Sequence, residues 1–283
     1  MIKNKKFKAI IFSMILCLAA GFTGCGKKAE APSADNKQKV ENKSEGGEVD
    51  RIKKSGKLVL GTCADYPPYE FHKKVNGKDE IIGFDIEIAK EIAKDLGVKL
   101  EIKDMGFDGL IPSLQTGKVD LLISGMTPDE KRKKEVDFTK LYYKAEQAIM
   151  IRTEDKDKFK SLDDFTGKKI GAQKASIQDE IARKQIKNAS IVSLSKVTDL
   201  TLSLKTKRCD AIVVEGPVAK SYAAKNPDIV VANVKVDNIG EGAAIAVKKG
   251  STDLVELMNK TIDKLTSEGK IDAFVIKANE MVE

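Results

Sequence analysis

The chain has 283 residues, 41% of them hydrophobic and 33% charged. That allows one large or two medium domains and describes a soluble globular protein, excluding a disordered or membrane-spanning one. The formal charge is +7, but Lys3, Lys5, Lys6 and Lys8 lie in a segment expected to be removed, and the remainder is spread among interleaved acids without an Arg-rich run or RNA-reading aromatic motif. Nucleic acid is therefore not expected as a partner.

In chain order, a basic stretch over residues 1–8 precedes an apolar run from Ala9 to about Ala20, too short and wrongly flanked for a membrane span. This reads as a secretory signal over residues 1–24. It ends in Phe22-Thr23-Gly24-Cys25, which resembles the bacterial lipoprotein signal, with Phe22 where the usual pattern has Leu. The resemblance implies lipidation at Cys25 and a membrane anchor; the competing expectation is simple cleavage and release. Residues 25–50 carry almost no large apolar side chain and are expected to be a flexible tether. The folded part is expected from Arg51. Cys17 would leave with the signal, so Cys63 and Cys209 remain. The lone His72, among Glu70, Lys73 and Lys74, reads as a solvated loop residue, which removes most zinc and histidine-based catalytic schemes. Neither a catalytic set, a cofactor nor a metal site is expected.

Residues 57–63 read as a buried strand, and Pro67-Pro68 then force an extended turn that holds Tyr66 and Tyr69 rigidly at the strand end. Apolar residues at helical spacing over 83–96 stop at Gly97, and a strand is expected over 98–102. This alternation implies βαβ units, a largely parallel sheet and ligands at the carboxyl ends of its strands. Residues 110–115 read as a helix, Thr116-Gly117 as a turn, 119–123 as a strand and Ser124-Gly125 as a small-residue turn. A second helix is expected beyond it, with Thr127 as its cap, Pro128 at its first position and Glu130 completing a capping box. Its N-terminus and Arg132, a planar fork suited to a carboxylate, outline an anion pocket.

The pattern has an echo ninety residues later. Ser113-Leu114, Thr116 and Asp120 recur as Ser203-Leu204, Thr206 and Asp210, each set followed by an apolar strand. The first strand leads to Ser124-Gly125, the second, over 211–214, to Glu215. Two similar lobes would then face a shared cleft, with Arg132 on one wall and Glu215 on the other. Opposed cationic and anionic clamps suit a zwitterion, of which an α-amino acid is the commonest small example.

With residues 65–71, 83–85, 107–112, 116–120, 124–127, 132–134, 136–138 and 171–173 in this order, the chain resembles the polar amino-acid family of extracellular solute-binding proteins, the capture subunits of ABC importers. The resemblance covers about residues 51–283. It implies an α/β fold of two lobes, each a mostly parallel sheet flanked by helices, joined by two crossover strands that act as a hinge. Lobe 1 would hold residues 51–143 plus 241–283 and lobe 2 residues 145–239, so that Cys63 and Cys209 fall in opposite lobes and do not pair. Carried over by position, Tyr66 and Phe107 would wall the ligand side chain. Ser124, Gly125 and Thr127 would surround the ligand carboxylate, Gly125 and Thr127 offering it N–H or hydroxyl donors, with Arg132 as its bidentate partner. Ser176 would add a hydroxyl, and Glu215, where the family usually has Asp, would accept the α-ammonium. Cys63 stands where some relatives that take basic amino acids have Asp, while Asp65 and Asp108 supply acid nearby; basic or amide amino acids are expected. Gln173, Lys174 and Gln178 lie close enough to tune specificity, with surface roles as the alternative. The lysines of 131–134 read as a solvated face. The expected partners are an amino acid, an ABC permease with its ATPase and the extracytoplasmic membrane face through the lipid, and a monomer is expected. The alternatives are an enzyme of dehydratase or lytic type on the same fold and an amino-acid-sensing surface lipoprotein.

Overall fold

The computed structural model describes residues 46–282. The signal segment, Cys17, the lipidation at Cys25 and most of the expected tether lie outside the described residues. Among the described residues no helix is long and apolar enough to cross a membrane.

The first helix, α1 (Glu48–Ser55), begins inside the stretch expected to be tether. Its acids lie in the first turn and its lysines in the last, matching the helix dipole, and Ile52 is fully buried. Its N-terminus is held by a distant residue: the Val49 N–H donates to Asp253 Oδ2 at 2.9 Å.

Strand β1 (Lys57–Thr62) leads through β2 (Asp65–Tyr66) into a hairpin of β3 (Glu70–Val75) and β4 (Lys78–Ile82). Helix α2 (Phe84–Leu96) follows, ending at a left-handed Gly97, then β5 (Lys99–Asp104), α3 (Leu110–Gln115), β6 (Leu121–Leu122), α4 (Arg132–Glu135) and β7 (Val136–Tyr143). The chain then crosses to β8 (Gln147–Arg152), β9 (Lys169–Gln173), α5 (Ile177–Gln185), β10 (Ser190–Leu194), α6 (Val197–Lys205), β11 (Ala211–Glu215), α7 (Gly216–Lys225) and β12 (Ile229–Val231). It returns through β13 (Ala243–Lys248) and ends in α8 (Thr252–Ser267) and α9 (Lys270–Val282).

Two five-stranded sheets result, ordered β5-β1-β6-β13-β7 and β10-β9-β11-β8-β12. In the first only β13 runs against its neighbours, and in the second only β8 does. Each sheet is thus mostly parallel, and each belongs to one lobe. Both faces of the second sheet are covered: Ile149, Ile151, Ala211 and Val213 pack toward Phe165 and Ile181, while Met150, Ile212 and Val214 pack toward Leu200, Leu204 and Val218. Such two-sided burial is why 211–214 is an uninterrupted apolar run.

The repeated pattern is repeated structure. In the first copy Thr116 Oγ1 donates to Pro112 O at 2.9 Å and the Lys118 N–H to Ser113 O at 2.9 Å. In the second, Thr206 Oγ1 donates to Leu202 O at 2.8 Å and the Arg208 N–H to Ser203 O at 2.8 Å. Asp120 then gives its N–H to Val59 O and accepts the Val59 N–H, as Asp210 does with Lys169. Each aspartate fastens a helix–turn–strand unit to the neighbouring parallel strand.

Two crossovers, at 144–146 and 232–242, join the lobes. Asn238 ties them: its Oδ1 accepts the Gln147 N–H at 3.0 Å and its Nδ2 donates to Ala145 O at 3.4 Å. Gly242, at φ +153°, lies where a Cβ would come within 2.3 Å of Tyr143 O, so this crossing of backbones requires glycine.

The expected cap at Thr127 is not formed. Residues 124–129 run without helix, and α4 starts at Arg132, whose N–H donates to Asp129 Oδ1 at 2.8 Å. Two short polar side chains compete to cap this turn, and the carboxylate nearer the helix takes it; Glu130 instead pairs with Lys133 at 2.8 Å. A four-residue helix whose first N–H is so engaged supplies no anion-binding end. His72 is also placed differently from the expectation: it lies on β3, exposed, with Nδ1 2.8 Å from Asp79 Oδ2 across the hairpin.

Candidate functional site

The ends of β1 and β6 in one lobe face β9 and the start of α5 in the other. From the first lobe Cys63, Asp65, Tyr66 and Phe107 line the enclosed space, together with Ser124, Gly125, Thr127 and Arg132. From the second come Gln173, Ile177 and Gln178. The enclosed volume is about 10 Å³, the scale of one water molecule. It continues into an outer cleft of about 620 Å³ that shares Phe107 and Arg132.

The lobes meet closely around this space. Asp65 Oδ2 accepts the Val197 N–H at 2.5 Å, and Tyr222 donates its hydroxyl to Asp65 O at 2.7 Å. Lys174 pairs with Asp108 at 2.8 Å and Lys196 with Asp104 at 2.9 Å.

Arg132 is 6% exposed. Its Nη1 donates to Thr127 O at 2.7 Å and its Nη2 to Ala175 O of the facing lobe at 2.8 Å. Its guanidinium carbon stands 5.4 Å from the Phe107 ring centroid, within cation–π range. Burial lowers its pKa, with Asp129 and Glu180 opposing. The three lysines flanking it, Lys131, Lys133 and Lys134, are exposed, as the sequence suggests.

The Ser124-Gly125 turn is held from behind. Ser124 Oγ donates to Glu70 Oε1 at 2.6 Å and accepts the Cys63 N–H at 3.1 Å, while the Gly125 N–H donates to Asp85 Oδ2 at 3.0 Å. Gly125 therefore forms wall and its N–H faces a protein carboxylate, contrary to the expectation that it offers this donor to a ligand. At φ +53°, with the Tyr66 ring 3.3 Å from where a Cβ would stand, residue 125 favours glycine. Thr127 packs against the second crossover: a Cβ on Gly240 would sit 2.4 Å from Thr127 Cγ2.

In the second lobe, Ser176 caps α5, accepting the Asp179 N–H at 3.3 Å and donating to Gln173 O at 2.6 Å. It lines the outer cleft and not the inner space. Glu215 is buried at the end of β11, where it accepts the Tyr69 hydroxyl, and its backbone N–H donates to Tyr66 Oη at 3.3 Å. It too lies off the inner wall, behind these two tyrosines. Burial pushes its carboxyl up to about 8, with Asp85 adding to the rise. The same desolvation raises Asp65 to about 6.

Gln173 and Gln178, for which a surface role was equally open, are both buried on the wall. Gln173 Nε2 donates to Ser195 O at 3.1 Å and lies 3.6 Å from Cys63 Sγ; Gln178 Nε2 donates to Gln147 Oε1 at 3.0 Å. Cys63 and Cys209 are free and buried. Among the described residues no His, Cys, Asp and Glu grouping could hold a metal.

The site is polarised. Asp65, Glu70, Asp85 and Glu215 are buried around the tyrosines, and Arg132 is buried beside Phe107. A ligand with its carboxylate toward Arg132 and positive charge toward the acids matches that field.

The description "bacterial extracellular solute-binding proteins, family 3" matches residues 58–278. The arginine-binding extracellular protein ArtP of Bacillus subtilis is 34% identical over 270 residues, covering 94% of this chain and 95% of ArtP. The ABC transporter glutamine-binding protein GlnH of the same organism is 30% identical, covering 93% and 91%. Among solved structures, the amino-acid ABC transporter substrate-binding protein AbpA of Streptococcus pneumoniae, bound to L-arginine, superimposes with a TM-score of 0.80 at 40% identity, covering 82% of this chain and 98% of that one.

Proposed function

The chain belongs to the bacterial extracellular solute-binding proteins of family 3, and on that premise we propose that it captures a basic amino acid, arginine first, between its lobes by hinge closure and delivers it to an ABC permease from a lipid anchor at Cys25. Its relatives are named as binding proteins, and it is an amino-acid-binding protein of ABC transport, extracytoplasmic, and not an enzyme.

The observation that carries the choice of arginine is the polarised burial: one cation at Phe107, and Asp65 and Glu215 beside Tyr66 and Tyr69. Arg132 takes the α-carboxylate together with Thr127. Glu215 takes the α-ammonium, which replaces the Tyr69 hydroxyl as its partner and releases the carboxyl's proton. Tyr66 and Phe107 flank the side chain, each ring worth about 0.5–2 kcal/mol against a cation. Asp65, reached past Cys63 and Gln173, accepts the guanidinium, a role that the acid missing at position 63 would otherwise fill. The Ser176 cap sets the start of α5 against the carboxylate.

Entry requires the lobes to part, breaking the Arg132–Ala175 and Asp65–Val197 hydrogen bonds. A ligand that replaces those contacts with stronger ones shifts the equilibrium to the closed form. The buried amides of Gln173 and Gln178 favour glutamine as the competing ligand.

A thermal-shift screen of the twenty amino acids tests this, because a ligand that binds only the folded state raises its melting temperature. Arginine is expected to give the largest shift, followed by lysine or glutamine. No shift with any amino acid overturns the reading, and a shift with glutamine alone moves it to the amide class. Mass spectrometry of the mature N-terminus tests the anchor, with an unmodified soluble product as the contrary result.

A further inference from the structure

Glu70 and Asp85 form a pair that binding does not use directly. Both are fully buried, Glu70 at the start of β3 and Asp85 in the first turn of α2, and they hold consecutive residues of one turn, Glu70 Oε1 accepting from Ser124 Oγ and Asp85 Oδ2 from the Gly125 N–H. Glu70 Oε2 and Asp85 Oδ1, the oxygens left over, meet no donor from any other residue. Neither carboxyl has a cationic partner among the described ion pairs. The groups that bear on the pair are Asp65, Tyr66 and Cys63 from the β1–β2 segment, Tyr142 from β7 and Glu215 from the facing sheet, and all of these are acidic or neutral. Two facing buried carboxylates with no cation repel each other and lose hydration, so they cannot both be ionised; like pairs hold one proton between them.

We propose that Glu70 and Asp85 share a single proton and that this proton positions the Ser124-Gly125 turn of the binding site. In this arrangement Glu70 is neutral. Its O–H donates to Asp85 Oδ1, and its Oε1 accepts from Ser124 Oγ at 2.6 Å. Asp85 is ionised, and its Oδ2 accepts the Gly125 N–H at 3.0 Å and the Tyr142 hydroxyl at 2.9 Å. Every polar atom is then satisfied, as buried polar atoms require. The split follows from the surroundings: burial and Asp85 push Glu70 well up, whereas the Gly125 N–H and the Tyr142 hydroxyl favour charge on Asp85 and limit the rise that burial gives it. Through Ser124 Oγ the pair also reaches the Cys63 N–H, 3.1 Å away. One proton thereby fixes the ends of both β1 and β6 where they border the ligand. Glu70 and Asp85 are positioning residues.

The affinity part of the test rests on the binding function proposed above; the proton itself does not. Infrared spectra of the ligand-free full-length chain at neutral pH, taken as wild type minus Glu70→Gln, are expected to show a protonated-carboxyl carbonyl band that moves on 13C-labelling of glutamate side chains. The absence of that band overturns the proposal whether or not arginine binds. By calorimetry, Glu70→Gln, which keeps a donor toward Asp85 and an acceptor for Ser124, should hold arginine within about threefold of wild type, while Glu70→Ala and Asp85→Ala lose about tenfold or more, the scale of a buried hydrogen bond to charge. Raising the pH far enough to remove the proton should weaken wild type relative to Glu70→Gln; titration of the ligand amine and of Glu215 is common to both and cancels in the ratio. Equal affinities for Glu70→Gln and Glu70→Ala, or parallel pH profiles for wild type and Glu70→Gln, overturn the positioning role. If Glu70→Ala fails to fold, the infrared band and the Glu70→Gln profile still decide.

Discussion

The two helix–turn–strand units, 110–125 and 197–216, share a hydrogen-bond plan down to the aspartate that locks each strand to its neighbour, yet their strands end in opposite chemistry. The first runs into a glycine turn that no helix caps, held from behind by carboxyls, with Arg132 seven residues on. The second passes directly from Glu215 into α7, whose second residue is Pro217. A common scaffold thus sets where each wall stands, and a few residues beyond the strand end set its charge.

The sharpest break in this comparison is at the cationic tip. Arg132→Ala should weaken arginine binding by about 2–5 kcal/mol, the scale for leaving a buried charge unpaired, while changing the ligand-free melting temperature much less; unchanged affinity by calorimetry would remove Arg132 from the site.

At the anionic tip the effect is on stability. Glu215 titrates near 8 when folded, above its unfolded value, so the folded state holds the extra proton and stability is fully present below about pH 4.5 and lost as pH rises through 8. Glu215→Gln should therefore match wild type at pH 5 and exceed it by on the order of 3 kcal/mol at pH 8 without ligand, read from denaturant unfolding at both values. A constant difference across this range would contradict the buried, protonated carboxyl.

Asp120→Ala and Asp210→Ala probe what the units share. Asp120→Ala orphans the part-buried Val59 N–H, at about 1–3 kcal/mol, whereas the Lys169 N–H released by Asp210→Ala is exposed and takes water, so a smaller loss in urea midpoint is expected there. Both should also reduce arginine affinity, since the Ser124-Gly125 turn follows the first and Glu215 follows the second; unchanged binding in either variant would mean that its tip is independent of its scaffold. The smallest effect expected is at Ser176→Ala, about 1 kcal/mol of stability from the lost helix cap, with affinity changed less than by Arg132→Ala.

Much of this was legible in the sequence because it is local. The paired prolines after β1, the helical spacing over 83–96 and the repeated Ser-Leu-x-Thr pattern announce their structures within a few residues. Arg132 and Tyr66 stand out in the same local way, whereas Phe107 comes only from the family resemblance; all three border the enclosed space. The failures were set by partners far along the chain or by close competitors. The 48–50 segment looks like tether until Asp253, more than two hundred residues away, caps it. Thr127 and Asp129 are both credible caps, and only the three-dimensional turn selects between them. Asp85 reads as an ordinary first-turn acid, so the carboxylate that claims the Gly125 N–H was not visible. Gln173 and Gln178 become wall residues only when the lobes meet, which no local pattern records. The one available signal was polar residues recurring at the start of a helix directly after a buried strand end.

The contact of Thr127 with Gly240 has a mechanical meaning. Gly240 belongs to the second crossover between the lobes, and Thr127 lines the enclosed space, with no room between them for even a methyl group. The pivot and the pocket are therefore one touching assembly. In the proposed closure, motion of the crossover would reach the Thr127 side of the cleft by direct steric contact, and substitutions at the pivot are expected to retune ligand capture without meeting the ligand.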